Sequence, residues 1–154
     1  MTVRLKHKGQ DAFTLLELLM VVIIIAILAS LALPQYLRVA ERARASESMT
    51  LMASIRGSEL RFRAADPAGQ FTQDLSALDI ELPNVVLNSG DTDVNLANWT
   101  ITVNGTDPTT SPNTVATRTD GSGRAIDMDL SSGETCANDP VYGLPAGGVL
   151  PNCP

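Results

Sequence analysis

The chain is poor in the residues that most enzymes use for acid–base or nucleophilic catalysis. Its 154 residues contain one histidine, His7, and two lysines, Lys6 and Lys8, so neither type occurs after residue 8. The rest of the chain therefore cannot build a serine–histidine or serine–lysine arrangement, and no carboxylate pair is singled out by its spacing. We predict no catalytic residues and interpret the chain as a non-enzyme.

Cysteine is almost as scarce, with only Cys136 and Cys153 near the C-terminus. Two cysteines without histidine cannot fill a tetrahedral zinc site unless carboxylates join them, so no metal site is predicted. If the C-terminal part is exported, it meets an oxidising compartment, and the two thiols are then expected to form a disulfide.

Basic residues are concentrated at the very start of the chain. Arg4, Lys6 and Lys8 all precede Ala12, and Asp11 is the only acid among these first residues. The chain beyond Ala12 has 8 arginines and 16 acids, which gives a net charge of −8. Because such an acidic surface repels a phosphate backbone, we expect no direct binding of nucleic acid.

One long apolar stretch dominates the sequence. Residues 13–33 form a run of 21 residues in which Glu17 is the only charge, and as a helix the run is about 32 Å long. In lipid only a helix satisfies its own backbone, so we predict a transmembrane helix after a short basic leader, residues 1–12. The alternative, a secretory signal cut after Ala32, is disfavoured by the length of the stretch and by Glu17.

The basic leader, the following Phe13 and the glutamate four residues further on resemble the N-terminus of the type IV pilins and the related pseudopilins. The resemblance implies that prepilin peptidase cuts between Ala12 and Phe13 and N-methylates the new amine of Phe13. The family usually has glycine before the cut, where this chain has alanine. The resemblance also implies that Glu17 pairs with the N-terminal amine of a neighbouring subunit, that Thr14 adds a hydrogen bond there, and that the helix loosens near Pro34.

What the resemblance implies about function is a structural subunit that forms a homo-oligomeric helical filament. Before assembly the subunit would be a single-pass inner-membrane protein with its head outside the cytoplasm, and afterwards part of an extracellular pilus. Prepilin peptidase and the pilus assembly machinery are the expected partners, and no cofactor is expected. Some pseudopilins bind calcium in their heads, and the candidates for such a site here are Asp120, Asp127 and Asp129.

Two alternatives to a pilus subunit follow from the same residues. One is a type II secretion pseudopilin, and the other is a membrane-anchored or secreted binding domain that does not polymerise. The family's heads commonly end in a disulfide-bounded loop, and the expected pairing of Cys136 with Cys153 favours the pilus.

The remaining pattern predicts an α+β fold in which one long helix spans residues 13–65. Its apolar half would protrude, and its C-terminal half would pack on a small antiparallel sheet. Asp66-Pro67 is expected to end the helix. The apolar residues at helical spacing beyond the proline are Val39, Ala43, Met52, Ile55 and Phe62.

Residues 66–154 are predicted to form a globular head. The head begins with a connecting loop that contains one helical turn at Leu75–Leu78. Alternating patterns then predict strands at 99–103, 114–119 and 124–130. The tail from Cys136 to Cys153 is rich in proline and glycine, so we expect it to have no regular structure.

Overall fold

The computed structural model describes residues 13–82 and 85–145. The predicted leader, residues 1–12, lies outside the described residues. The chain divides into two compact units, residues 1–37 and residues 38–154. The helix α1 (Leu15–Ala65) has residues in both units, and its bounds confirm the predicted long helix to within two residues.

The end of α1 follows from local chemistry. The N–H of Asp66 still donates to the carbonyl of Phe62 at 2.9 Å, but Pro67 has no N–H to continue the series. The Asp66 carboxylate then accepts from the N–H of Gln70 at 2.8 Å, and Gly69 takes a positive φ of 63°. The chain therefore turns away from the helix axis at the predicted position.

The described residues of the second unit form one antiparallel sheet of five strands, in which each strand pairs with the next along the chain. The predicted α+β class is confirmed, and the three predicted strands are found within one residue of their expected bounds. The strands are β1 (Asp93–Asn95), β2 (Trp99–Asn104), β3 (Asn113–Arg118), β4 (Ala125–Asp129) and β5 (Thr135–Ala137).

Two edge strands, β1 and β5, were not predicted, and each has only three residues. The expectation of no regular structure after Cys136 is therefore wrong for the first part of the tail. Cys136 lies buried on β5, and a 3-10 turn follows at Pro140–Tyr142. Proline is tolerated there because the first N–H of a helical turn has no partner in any case. Cys153 lies outside the described residues, so the disulfide stays a prediction.

The buried face of α1 differs from the predicted one. Met52 and Ile55 are buried as expected and Phe62 is half-buried, but Val39 and Ala43 are exposed. The face that is buried against the head comprises Ala45, Ser48, Met52, Ile55, Ser58 and Glu59. Three of these six residues are polar, so an apolar pattern alone could not find this face.

The core of the second unit is centred on Trp99, the only tryptophan. Its Nε1–H donates to the carbonyl of Arg44 on α1 at 3.1 Å, and its ring lies 5.9 Å from that of Tyr142. Large residues that are fully buried in the same core include Met52, Ile55, Leu75, Ile101, Ile126 and Leu130.

The connecting loop is attached to α1 through Asp79. Ser58 donates a hydrogen bond to the Asp79 carboxylate, and the Arg61 guanidinium donates to it twice, at 2.7 and 2.8 Å. These bonds, that of Arg61 first, lower the pKa of Asp79 to about 2. The predicted helical turn in this loop is confirmed as a 3-10 turn at Leu75–Ala77. The start of the loop therefore has a fixed position on the helix.

The turn between β4 and β5 provides a test of a second attachment to α1. Arg56 donates to the carbonyls of Leu130 at 2.9 Å and Ser131 at 3.0 Å. Gly133 has a φ of 79°, and a Cβ there would lie 2.9 Å from Cζ of Arg56. We expect Gly133→Ala to destabilise the head by about 1–3 kcal/mol, measured by urea unfolding of the detergent-solubilised chain through Trp99 fluorescence.

Gly121→Ala is the matched control for this variant. Gly121 has a similar φ of 76°, but beyond its two chain neighbours no heavy atom of the described residues lies within 4 Å of the position that an added Cβ would take. The loss of stability in Gly121→Ala therefore measures the backbone strain alone. Any additional loss of stability in Gly133→Ala measures the displacement of Arg56. Equal costs for the two variants would show that the Arg56 contact contributes nothing.

Candidate functional site

The first unit presents a continuous apolar surface. Every side chain from Phe13 to Val39 is exposed, and among the described residues α1 is the one helix long and apolar enough to cross a membrane. From Leu15 to Val39 the large apolar side chains of α1 are about half exposed or more, with Leu15 at 89%. An exposed surface of this size in water is unfavourable, so it needs lipid or other apolar helices around it.

The start of α1 is closed by a reciprocal pair of hydrogen bonds between Thr14 and Glu17. The hydroxyl of Thr14 accepts from the N–H of Glu17 at 3.2 Å, and the Glu17 carboxylate accepts from the N–H of Thr14 at 3.2 Å. The Thr14 hydroxyl also donates to the same carboxylate at 3.0 Å. This is a capping box, which satisfies two of the N–H groups that a helix start leaves without partners.

Sequence reasoning missed the capping box, although its signal is present. Threonine followed three residues later by glutamate, directly before an apolar run, is the typical pattern. Both bonds from Thr14 end on Oε2 of Glu17, and no described residue donates to Oε1. The carboxylate thus caps its own helix and still has an exposed oxygen that can accept a hydrogen bond from a cation.

The other residues predicted for this site have separate places. Phe13 precedes the helix with 79% of its surface exposed, while Ala12, on the other side of the predicted cut, lies outside the described residues. Pro34 lies within α1, which continues through it. Because proline has no N–H, the carbonyl of Ser30 loses its helical hydrogen bond there. The boundary between the two compact units falls three residues later, at Leu37.

A comparison with protein families identifies this N-terminal region. Residues 7–33 match the prokaryotic N-terminal methylation motif. The chain carries the leader signature of type IV prepilins and pseudopilins. The matched residues include the predicted cut, the capping box and the whole apolar run, residues 13–33. No solved structure matches the chain.

The prepilin signature has consequences for the rest of the molecule. It indicates a structural subunit in a pilus or secretion assembly that uses prepilin peptidase. The exposed apolar helix is consistent with anchoring in a membrane. A long N-terminal helix followed by an antiparallel sheet is also a pilin-like α+β arrangement.

The aspartates considered for calcium do not form one group in the head. Asp120 pairs with Arg118 at 3.0 Å and accepts from Ser122, whose side chain contributes most to lowering the pKa of Asp120 to about 2. Asp127 is buried and accepts from Asn113 at 2.7 Å. Burial raises the pKa of Asp127 to about 6. Within residues 13–82 and 85–145, no three acidic, histidine or cysteine side chains gather as a metal site.

Proposed function

We propose that this chain is the precursor of a structural subunit of a type IV pilus-like filament. Prepilin peptidase removes residues 1–12 by cutting between Ala12 and Phe13, and the new amine of Phe13 is N-methylated. Before assembly, the subunit lies in the inner membrane with its head outside the cytoplasm. It then polymerises through its apolar helix into an extracellular fibre.

The observation that carries the proposal is an exposed apolar helix with a single carboxylate near its start. Apart from Glu17, the helix has no charge until Arg38, so its surface can be covered equally by lipid or by copies of itself. A carboxylate on such a surface is costly unless a cation joins it. The N-terminal amine of Phe13 in a neighbouring subunit is a cation that cleavage itself creates.

Pairing between subunits uses the part of the site that the capping box leaves available. The amine of one subunit donates to Oε1 of Glu17 in the next, while Thr14 holds Oε2 in place. Methylation of the amine keeps its positive charge and so preserves this ion pair. Pro34 weakens the helix at the end of the apolar run, where the subunit changes from lipid to protein surroundings.

The mass and first residue of the mature protein test this proposal. We expect a chain that begins with N-methylated Phe13 in the membrane fraction and in sheared fibres. A chain that begins at Leu33 would instead show a secreted domain, and an intact Met1 would show a permanently anchored one. Fibres that form only when a secretion system is overproduced would favour the pseudopilin.

Variants of Ala12 provide the control for processing. The family's usual residue is restored in Ala12→Gly, so processing should be at least as complete as in the original chain. Ala12→Arg places a large charged side chain directly before the cut, and we expect the precursor to accumulate without fibres. Fibres from an uncleaved Ala12→Arg chain would contradict the requirement for a free amine.

A further inference from the structure

Almost all arginines of the described residues form hydrogen bonds or ion pairs within the chain. Seven of the eight have a carboxylate or carbonyl partner, and Arg38 alone has none among the described residues. Arg38 is exposed and directly follows the apolar run. Its neighbours Tyr36, Leu37 and Val39 are also large and exposed, at 69, 55 and 63%. We call residues 36–39 the stem patch.

The connecting loop of the head also has a surface that combines apolar side chains with one exposed charge. The described residues 80–82 and 85–87 form what we call the loop patch, which includes a cavity of about 320 Å³ lined by Ile80, Glu81, Leu82, Val85 and Leu87. Val86 is 84% exposed, and beyond Val39 it is the one large apolar side chain of the described residues that is so exposed. Glu81 is exposed, and no hydrogen bond or ion pair joins its side chain to another described residue.

The loop patch is held in place by the helix beneath it. The Asp79 carboxylate, directly before the patch, is bonded to Ser58 and Arg61. Leu78 and Leu82 are buried in the core of the head. The described residues 78–82 are therefore already held on the helix, which lowers the entropic cost of an interface that uses them.

We propose that the loop patch of one subunit binds the stem patch of a second copy, with Glu81 paired to Arg38. This rests on the proposed filament, and it names which head surface meets which part of the helix. Charge complementarity selects the partner, because Arg38, the one described arginine without a carboxylate or carbonyl partner, is flanked in the chain by exposed apolar residues. Glu81 likewise lines the same cavity as Val85 and Leu87, which flank the exposed Val86 in the chain.

Other acids fit this partner less well. Glu47 and Glu134 are also exposed and have no side-chain partner among the described residues. Within the part of the chain that the structure describes, neither is next in sequence to an exposed large apolar side chain. An ion pair on an open surface contributes little by itself, so the adjoining apolar contact decides where the pair forms.

Charge reversal tests the proposed pair in cells that assemble the full chain. Arg38→Glu and Glu81→Arg should each reduce fibre yield by about tenfold or more, since each places like charges together at every interface. The double variant should recover to within about twofold of the original yield. Glu134→Arg combined with Arg38→Glu is the matched control, and it should not recover.

The readouts separate failure of this interface from failure of the filament proposal. Processed subunit in the membrane is measured for every variant, and neither change should alter it because both side chains are exposed. Normal fibres from Arg38→Glu, or equal recovery with Glu134→Arg, would overturn the pairing while leaving the filament proposal intact. An original chain that is neither processed nor assembled would overturn both.

Disulfide trapping gives a second measurement that does not depend on yield. Fibres of the Val39→Cys and Val86→Cys double variant should form covalent dimers under mild oxidation. The original chain, which contains Cys136 and Cys153, and a Val39→Cys with Thr109→Cys variant should not. Thr109 is exposed on the loop between β2 and β3, so dimers of equal amount from that control would contradict a specific contact at the loop patch.

Discussion

Fibre yield is expected to fall by about tenfold or more when Glu17 is replaced by glutamine, while insertion and cleavage continue. Glutamine has the same shape and keeps the capping box with Thr14, because glutamate and glutamine both serve at this position. What it removes is the negative charge. Each neighbouring Phe13 amine would then be buried in apolar surroundings without a counter-ion, at a cost of about 3–5 kcal/mol per subunit.

Thr14→Ala is the matched variant that separates the two roles of Glu17. It removes the hydroxyl that both accepts from the Glu17 N–H and donates to the carboxylate, but it leaves the charge. The loss of a helix cap costs about 1 kcal/mol, so we expect helix content and fibre yield to fall only slightly.

The pair of variants gives opposite results under the two explanations. If Glu17 acts only on its own helix, Thr14→Ala should be the more damaging change and Glu17→Gln should assemble normally. Electron microscopy of sheared fibres, normalised to processed subunit in the membrane, measures both. Normal fibres from Glu17→Gln would contradict pairing with a neighbouring amine.

The sequence was most informative where one physical requirement dominates. An apolar run long enough to cross a bilayer predicted the helix, and alternation in Trp99–Val103 and Ile126–Leu130 predicted two central strands, since burial on one face leaves little freedom. The helix end at Asp66-Pro67 was predictable because proline acts on the backbone directly.

The same reasoning failed where long-range contacts override local pattern. The three-residue strands β1 and β5 carry too few residues for an alternation, and they form because β2 and β4 offer open edges. Ser58 lies on the buried face of α1 because the carboxylate of Asp79, 21 residues away, accepts a hydrogen bond from its hydroxyl. No spacing within the helix contains that information.

The burial of Asp127 shows the same limit on a strand. Asp127 alternates with Ile126 and Met128, so it lies on the opposite face of β4. The sequence pattern predicts that this face is exposed to solvent. Asp127 is nevertheless fully buried, between Val115 on β3 and Cys136 on β5. Asn113 provides its hydrogen bond. A buried carboxylate of this kind needs a polar partner from another strand, which one strand's sequence cannot specify.

Glu59 leads to the second large effect, a fall in stability of the head between about pH 4.5 and pH 7. Glu59 is fully buried on α1. Its Oε2 accepts from the N–H of Thr72 at 3.0 Å, while Oε1 has no hydrogen-bond partner among the described residues. Nearby Arg63 donates instead to the carbonyl of Gly69 and lies 5.1 Å from the ring centre of Phe71. Burial outweighs the Thr72 bond and raises the pKa of Glu59 from 4.5 to about 7.

The folded chain holds the proton of Glu59 more tightly than the unfolded chain does. Between pH 4.5 and 7 the folded chain keeps a proton on Glu59 that the unfolded chain has lost, so stability decreases as the pH rises through this window. The expected loss is on the order of 2–3 kcal/mol. Asp127, with its pKa raised to about 6, adds to the decrease in the same direction.

Glu59→Gln should remove most of this pH dependence, because the amide keeps an acceptor for Thr72 but does not titrate. Urea unfolding of the detergent-solubilised chain from about pH 5 to pH 8, followed by Trp99 fluorescence, should give a distinctly shallower decrease than in the original chain. Asp79→Asn is the control. The pKa of Asp79 is about 2, so its loss should lower stability equally across this range and leave the slope unchanged. An unaltered slope in Glu59→Gln would show that the titrating proton is on another group. Asp127 is the first group to test, because it is the other fully buried carboxylate with a raised pKa among the described residues.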